Sequence, residues 1–329
     1  MRKFSFLIFV VLIITTIFSY KIYSSSIHFA KDSRSESRVV LDIIKGSTAT
    51  SVGDLLLEKN LIKNVSVFKF YLKQNNLTDK IKAGRIVVKE NFKLPEIVTA
   101  LIEGKSEEIP VTLLEGWTIE QIASYLEDSG LTTSEAFLQC IKTCEFTLDF
   151  LPEKYLEGYL YPDTYFVNLA TFDDKVFINR MIFTLKNKLT NADWNAINNS
   201  DHSFEEIMIM ASIVEREERN SDERSTVAGI LWNRFDAGMG LGADATILYA
   251  LGRTKGGLSY EDLQTDSPFN TRKYRGLPPT PICNPNLSSI RASIYAKKTD
   301  FWYYLHDSDG VIHYAKTNDQ HNMNKGKYL

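Results

Sequence analysis

The sequence predicts an α+β fold in three parts: an N-terminal transmembrane helix, a small α/β module and a larger mixed α/β domain. Two patterns carry this expectation. One uncharged apolar run stands at the N-terminus and no second long one follows. From Val39 onward, short strand-like stretches alternate with segments of helical period. The 329 residues, 44% of them hydrophobic, suffice for one large domain or two smaller ones.

Charge and cysteine content exclude several classes. With 38 Lys+Arg against 41 Asp+Glu, the net charge of −3 lacks the basic footprint of a nucleic-acid binder, so no nucleic-acid partner is expected. Three cysteines are too few for a disulfide scaffold. Cys140 and Cys144 stand four apart in a helical stretch, a spacing poorly suited to a disulfide within a helix. No histidine lies close enough to complete a zinc set with them. All three cysteines are therefore expected as packing residues, and no metal or cofactor is expected.

The apolar run Phe4–Tyr20 follows Arg2 and Lys3 and precedes Lys21. A span needs about 17–25 residues. Ile22 and Tyr23 extend the run if Lys21 snorkels. The exit lacks a clean small-x-small cleavage site, so the reading is an uncleaved anchor with its N-terminus in the cytoplasm. The expected organisation is a cytoplasmic tail at 1–3, a transmembrane anchor at 4–23, a polar linker at 24–38, a module at 39–105 and a larger domain at 106–329.

In the module, Val39–Ile44 reads as a strand, and Val52, Leu55 and Leu56 open a helical pattern. Asn64 can cap a second helix that carries Val67, Phe68, Tyr71 and Leu72 on one face. Ile86–Val88 is a short strand, and Pro95 opens a helix with Ile97, Val98, Leu101 and Ile102. This order resembles the LysM fold, a peptidoglycan-binding module.

In the larger domain, Thr118 and Gln121 form a capping box before Ile119, Ile122, Ala123 and Leu126. Leu57–Leu61 and Leu126–Leu131 follow a similar beat, which suggests a duplicated unit. Helices are predicted over 172–189, 204–218, 225–235, 246–251 and 287–296. Asp309-Gly310 between Phe301–Leu305 and Val311–Tyr314 predicts a hairpin.

No nucleophile elbow, zinc-protease motif, P-loop or dinucleotide fingerprint occurs. The five histidines read as surface or satisfied polar residues, with His313 and His321 the pair to watch. The informative segment is Ile207–Glu218, IMIMASIVEREE, in which only Ser212 is polar as far as Val214. At about 100° per residue, Glu215 continues the buried Met208–Ala211 face, while Glu218 sits at the helix exit. A half-buried carboxyl there is desolvated, and desolvation equips it as a general acid. Periodicity alone leaves open a solvated last turn. Glu157, among the tyrosines of residues 156–165, is a second candidate, since aromatic faces stack on sugars. Asp244 can cap the following helix.

The ordered motifs LEGYLYPDTY (156–165), ASIVEREE (211–218), VAGILWNRF (227–235), ADATILYALG (243–252), SPFNTRKYRGLPPTPICNP (267–285) and HYAKTNDQHN (313–322) resemble the MltG/YceG-like family. Its members are bacterial, membrane-anchored endolytic murein transglycosylases. The resemblance implies a lyase that needs one carboxyl, because the sugar's own C6 hydroxyl attacks C1 and leaves a 1,6-anhydro end. It places the catalytic residue at Glu215 and a supporting glutamate at Glu217. Glu157, Tyr161, Glu217, Asp244 and Asn270 are the expected substrate contacts. Where the family shows Asp-Pro-Thr, this chain has Asp244-Ala245-Thr246. The implied partners are peptidoglycan glycan strands, penicillin-binding synthases and other wall-growth or division proteins, with the membrane reached through the N-terminal helix. The implied location is the bacterial plasma membrane, with the catalytic domain outside. A water-using peptidoglycan hydrolase and a non-catalytic glycan-binding scaffold are the competing readings.

Overall fold

The computed structural model describes residues 2–104, 108–153 and 155–329, with backbone alone at 2–10, 12 and 170. The chain divides into two compact units, Met1–Pro110 with Phe166–Phe172, and Val111–Tyr165 with Asp173–Leu329. Helices and short strands are mixed, as an α+β fold requires. The boundary expected at 105/106 lies outside the described residues.

The first unit holds α1 (Arg2–Ile27), β1 (Arg38–Ile43), α2 (Ala49–Glu58), α3 (Val65–Gln74), β2 (Gly84–Lys89) and α4 (Leu94–Glu103). β1 and β2 pair antiparallel, with Val40 opposite Val87 and Leu41 opposite Ile86. Leu41, Leu56, Phe68, Leu72, Val88 and Ile97 form its core. The predicted cap is present: Asn64 Oδ1 accepts from the N–H groups of Ser66 and Val67.

Two expectations are corrected here. Among the described residues no helix is long and apolar enough to cross a membrane, which overturns the transmembrane span. α1 does not stop at the end of the apolar run. It continues through Lys21 and the serines expected as linker, and that end belongs to the globular unit. Ser26 is buried, Tyr23 and Ile27 pack on the core, and the Tyr23 hydroxyl donates to Gln74 Oε1 at 3.1 Å. The LysM-like module is not shown either. The strand–helix–helix–strand stretch does not stand alone, because the end of α1 and the apolar face of α4 share its core.

β3 (Glu108–Thr112) and β4 (Thr164–Asn168) form a second two-stranded sheet. The second unit is largely helical: α5 (Ile119–Asp128), α6 (Ser134–Thr143), α7 (Asp174–Lys188), α8 (Asn191–Asn198), α9 (Phe204–Glu217), α10 (Arg224–Asp236), α11 (Asp244–Ala250), α12 (Tyr260–Leu263), α13 (Leu287–Ile294) and α14 (Asn318–Tyr328). The predicted hairpin is β5 (Tyr303–His306) with β6 (Ile312–Ala315), Tyr304 opposite Tyr314.

α9 is the core helix. Every residue from Ile207 to Val214 is buried, against neighbours that include α10 and α13. Each such apolar side chain contributes about 1.5–3 kcal/mol relative to exposure. The one polar member is satisfied: Ser212 Oγ donates to Ile209 O at 2.7 Å and accepts from Ile282 N–H at 3.0 Å. Gly229 lets α10 approach the 297 backbone, since a Cβ there would lie 2.1 Å from Lys297 O.

The recurring Leu57–Leu61 and Leu126–Leu131 beat marks a shared helix stop. After α2 and α5, a left-handed residue, Asn60 or Gly130, is followed by a leucine whose N–H returns to the helix, at Leu56 O and Leu126 O. Asn76 and Leu77 end α3 in the same way.

The cysteine expectation is also corrected. Cys140 and Cys144 form a disulfide, with Cα atoms 4.8 Å apart. The spacing argument assumed a continuing helix. α6 ends at Thr143, and Cys144 turns to extended dihedrals as its C-cap. That brings the pair within bonding range. Cys283 is free and buried, as expected of a packing residue.

Candidate active site

α9 begins at a capping box between Ser203 and Glu206 and carries its apolar face into the core. Its last turn presents Glu215, Glu217 and Glu218 in three directions, at about 80°, 280° and 20° on the helical wheel.

Glu215 is held on both oxygens. Its side chain is only 6% exposed, and Arg224 beside it is 7% exposed. Arg224 Nη2 donates to Glu215 Oε1 at 3.2 Å, and the Asn286 N–H donates to Oε2 at 2.9 Å. The guanidinium is itself fixed by Glu218 O at 3.0 Å and Asn286 Oδ1 at 2.8 Å. Asn286 caps α13, its Oδ1 accepting from Ser289 N–H. Its Nδ2 donates to Glu115 Oε2 at 2.6 Å. One asparagine thus bridges the buried Glu215 and the exposed Glu115. The turn above is tight: Gly116 has φ +73°, and a Cβ there would rest 3.6 Å from Glu215 Cγ. Arg216 donates to Gly116 O and to Thr254 O, fixing that turn from below.

The burial expected of Glu215 is present. Desolvation is only part of its setting, since the opposite charge of Arg224 is buried beside it.

The other expected site residues separate. Glu217 accepts from the Tyr304 hydroxyl at 2.9 Å and from Ala245 N–H at 3.4 Å. Burial pushes its carboxyl above the usual range. Asp244 is not the cap of α11; that position is Ala243, with no side-chain cap bond. Asp244 instead accepts from Arg272 Nε and Nη2 at 2.9 and 2.7 Å. Tyr161 is buried beneath α13, where its hydroxyl meets Leu287 N–H, and the Lys188 ammonium lies 5.3 Å from its ring.

Glu157 and Asn270 turn inward. Glu157 Oε2 accepts from Ile119 N–H at the start of α5, and Oε1 from Asn284 Nδ2 at 3.1 Å. Burial pushes its carboxyl up to about 8. Asn270 is fully buried and donates to Leu263 O and Thr265 O, tying down that loop. Glu218 sits at the helix exit, as expected, as the C-cap of α9, and it is not solvated there. It is 4% exposed and bonded to His306 Nε2 at 2.9 Å. His313 bonds Asp307 and stacks on Tyr328.

Sequence reasoning missed Arg224, Asn286 and Glu115. Only Asn286 carried a usable signal, as a cap residue directly before the predicted helix at 287.

The fold and this geometry define a helix-rich α+β protein whose core helix ends in a buried carboxyl, Glu215, held on both oxygens by a guanidinium and a backbone N–H. The sequence matches the YceG-like family over residues 41–327. It is 30% identical to an endolytic murein transglycosylase of Bacillus subtilis, over 94% of this chain and 89% of that protein. It is 29% identical to the endolytic murein transglycosylase of Streptococcus pneumoniae D39, over 91% of this chain. The chain spans 60% of the length of that pneumococcal relative. The crystal structure of a yceG-like protein from Listeria monocytogenes superposes with a TM-score of 0.60 at 30% identity, covering 88% of this chain and 99% of that one. The chain belongs to the YceG-like family.

Proposed function

We propose that this chain is an endolytic murein transglycosylase, a lyase that cuts peptidoglycan glycan strands internally. The observation that carries the reading is the geometry at Glu215, in a chain 30% identical to a relative of that name.

Glu215 is the proposed catalytic residue. In its protonated form it gives its proton to the glycosidic oxygen as the C1–O bond breaks. The C6 hydroxyl of the same sugar then attacks C1, and its proton returns to the Glu215 carboxylate. No water is consumed and the carboxyl is regenerated. The intramolecular attack gains from high effective molarity. Arg224 and the Asn286 N–H bind a carboxylate more strongly than a carboxylic acid. They therefore favour the charge that develops as the proton leaves. Arg224 acts as a positioning residue.

The substrate lies outside the cytoplasm, and the catalytic unit is proposed to work there. The Cys140–Cys144 disulfide supports this, since such bonds persist in oxidising compartments. Synthases of the penicillin-binding type, which deliver nascent strands, are the proposed protein partners.

The test is mass analysis of the products from purified peptidoglycan. The reading expects 1,6-anhydro-muramic acid ends, and their loss in Glu215→Gln. Reducing muramic ends as the main product would overturn it. They would assign water activation to a second carboxyl, and Glu115 is the one that Asn286 joins to Glu215.

A further inference from the structure

A concavity of about 480 Å³ has Glu217, from α9's last turn, in its wall. Glu217 lies two residues beyond Glu215, which is about 200° around the helix and 3 Å along it. The two carboxyls therefore leave the helix on opposite sides.

Three cationic side chains line this pocket, Arg234, Arg272 and Lys325, against two carboxyl side chains, Glu217 and Asp244, with Leu329 also in the wall. Asp244 is engaged by Arg272. Arg234 is the unusual member. Its Nε donates to Trp302 O at 2.7 Å and its Nη1 to Leu241 O at 2.5 Å. The guanidinium lies 5.3 Å from the centre of the Tyr303 ring and 6.0 Å from that of Tyr304. Among the described residues, no carboxylate comes within ion-pair distance of it. Lys325 likewise has no ion pair among them. His321, also in the wall, stacks on Tyr303, and its buried Nδ1 has no hydrogen-bond partner. A guanidinium anchored on two carbonyls and two aromatic faces, with no carboxylate at ion-pair distance among the described residues, is pre-organised for an incoming planar anion.

Resting on the reading of Glu215 as the cutting residue, we propose that this pocket binds a carboxylate on the peptide stem of the glycan strand. The stem is the acidic branch of this substrate and starts beside the bond being cut. A helix is about 10–12 Å across with its side chains. An extended peptide covers about 3.3–3.6 Å per residue, so a stem of three or four residues reaches from one side of the helix end to the other. Arg234 and Lys325 would pair with its carboxylate.

The test compares glycan strands that carry stems, strands stripped of stems by an amidase, and strands whose stem carboxyls are amidated. The wild-type chain is expected to show a KM about 5–10-fold lower for stem-bearing strands than for the other two. Lys325→Gln should narrow that ratio at least threefold, and Lys325→Gln with Arg234→Gln should bring it near one. Lys175→Gln, far along the chain on α7, should leave the ratio unchanged. Equal KM values on all three substrates, with anhydro products still formed, would overturn the pocket and spare Glu215. Absence of anhydro products from every substrate would overturn the underlying reading instead. Inorganic phosphate supplies a last arm. If it raises the melting temperature through Lys325 and Arg234 while no strand is preferred, the site is a general anion site and the stem assignment fails.

Discussion

Removing Arg224 should destabilise the protein through Glu215, and a double-mutant cycle can isolate that effect. The side chains of Arg224 and Glu215 are 7% and 6% exposed, so neither charge is solvated. In Arg224→Met the Glu215 carboxylate keeps only the Asn286 N–H as a donor. Stranding one member of a buried pair costs about 3–5 kcal/mol. Glu215→Gln strands the Arg224 guanidinium in turn and leaves one oxygen to serve two donors, a loss of the same order, about 3–5 kcal/mol. If the effects were independent, the double variant would lose their sum. Once Glu215 is neutral, however, no buried charge remains for Arg224→Met to strand. The double variant should therefore be more stable than additivity predicts by about 2–3 kcal/mol. Equilibrium urea unfolding of the four proteins measures this, and product assays run beside it. Activity should fall by at least about 100-fold in Glu215→Gln. It should fall in Arg224→Met, and drop no further in the double variant than in Glu215→Gln. Strict additivity in stability, or full activity in Arg224→Met, would refute the coupling and with it the positioning role.

Three further outcomes are expected. Glu157 has a folded-state value of about 8 against an ordinary value of 4.5. Its stabilising contribution is therefore fully present below pH 4.5 and is lost as pH rises through 8, by up to about 1.4 kcal/mol per pH unit. Glu157→Gln should flatten that fall in a melting-temperature series, and parallel curves for variant and wild type would contradict the assignment. Glu218→Gln should cost about 1–3 kcal/mol of stability by weakening the buried bond to His306, yet leave far more activity than Glu215→Gln. Loss of activity equal to that of Glu215→Gln would move the chemistry to Glu218. Reduction of the Cys140–Cys144 bond, or Cys140→Ser, should lower stability by about 2 kcal/mol in the chain-entropy account of so short a loop. An unchanged unfolding midpoint would show that the bond constrains nothing.

What the sequence revealed and what it hid divide along the range of the interactions involved. The apolar run of α9, its capping box and the inward face of Glu215 depend on neighbours within one or two turns, so periodicity alone exposes them. The Asn64 cap and the Asp309-Gly310 hairpin are local in the same sense. Failures occurred where a local rule met a distant partner. The run after Phe4 satisfied a length rule, but the end of α1 is claimed by α3 through Tyr23 and Phe70. The cysteine spacing rule held for a helix that in fact stops between the two residues.

The same division explains the site. Glu215 could be singled out from its own helix, but what makes it more than a buried acid arrives from elsewhere in the chain. Asn286 lies 71 residues away and itself grips Glu115, which is 171 residues from it in sequence. No period links these three segments, and only the cap signal at Asn286 hints that its backbone N–H is fixed in place. Glu157 shows the converse. Its tyrosine-rich surroundings suggested a sugar platform, yet those aromatics are largely core, with Tyr159 wholly buried and Tyr161 nearly so. A carboxyl placed among them must find donors inside the protein, and it does so at Ile119 and Asn284. Composition therefore could not tell a binding carboxyl from a structural one. The difference lies in where the donors come from: Glu157 spends both oxygens closing a loop onto α5, whereas the donors on Glu215 include a cation whose hold strengthens as the proton leaves.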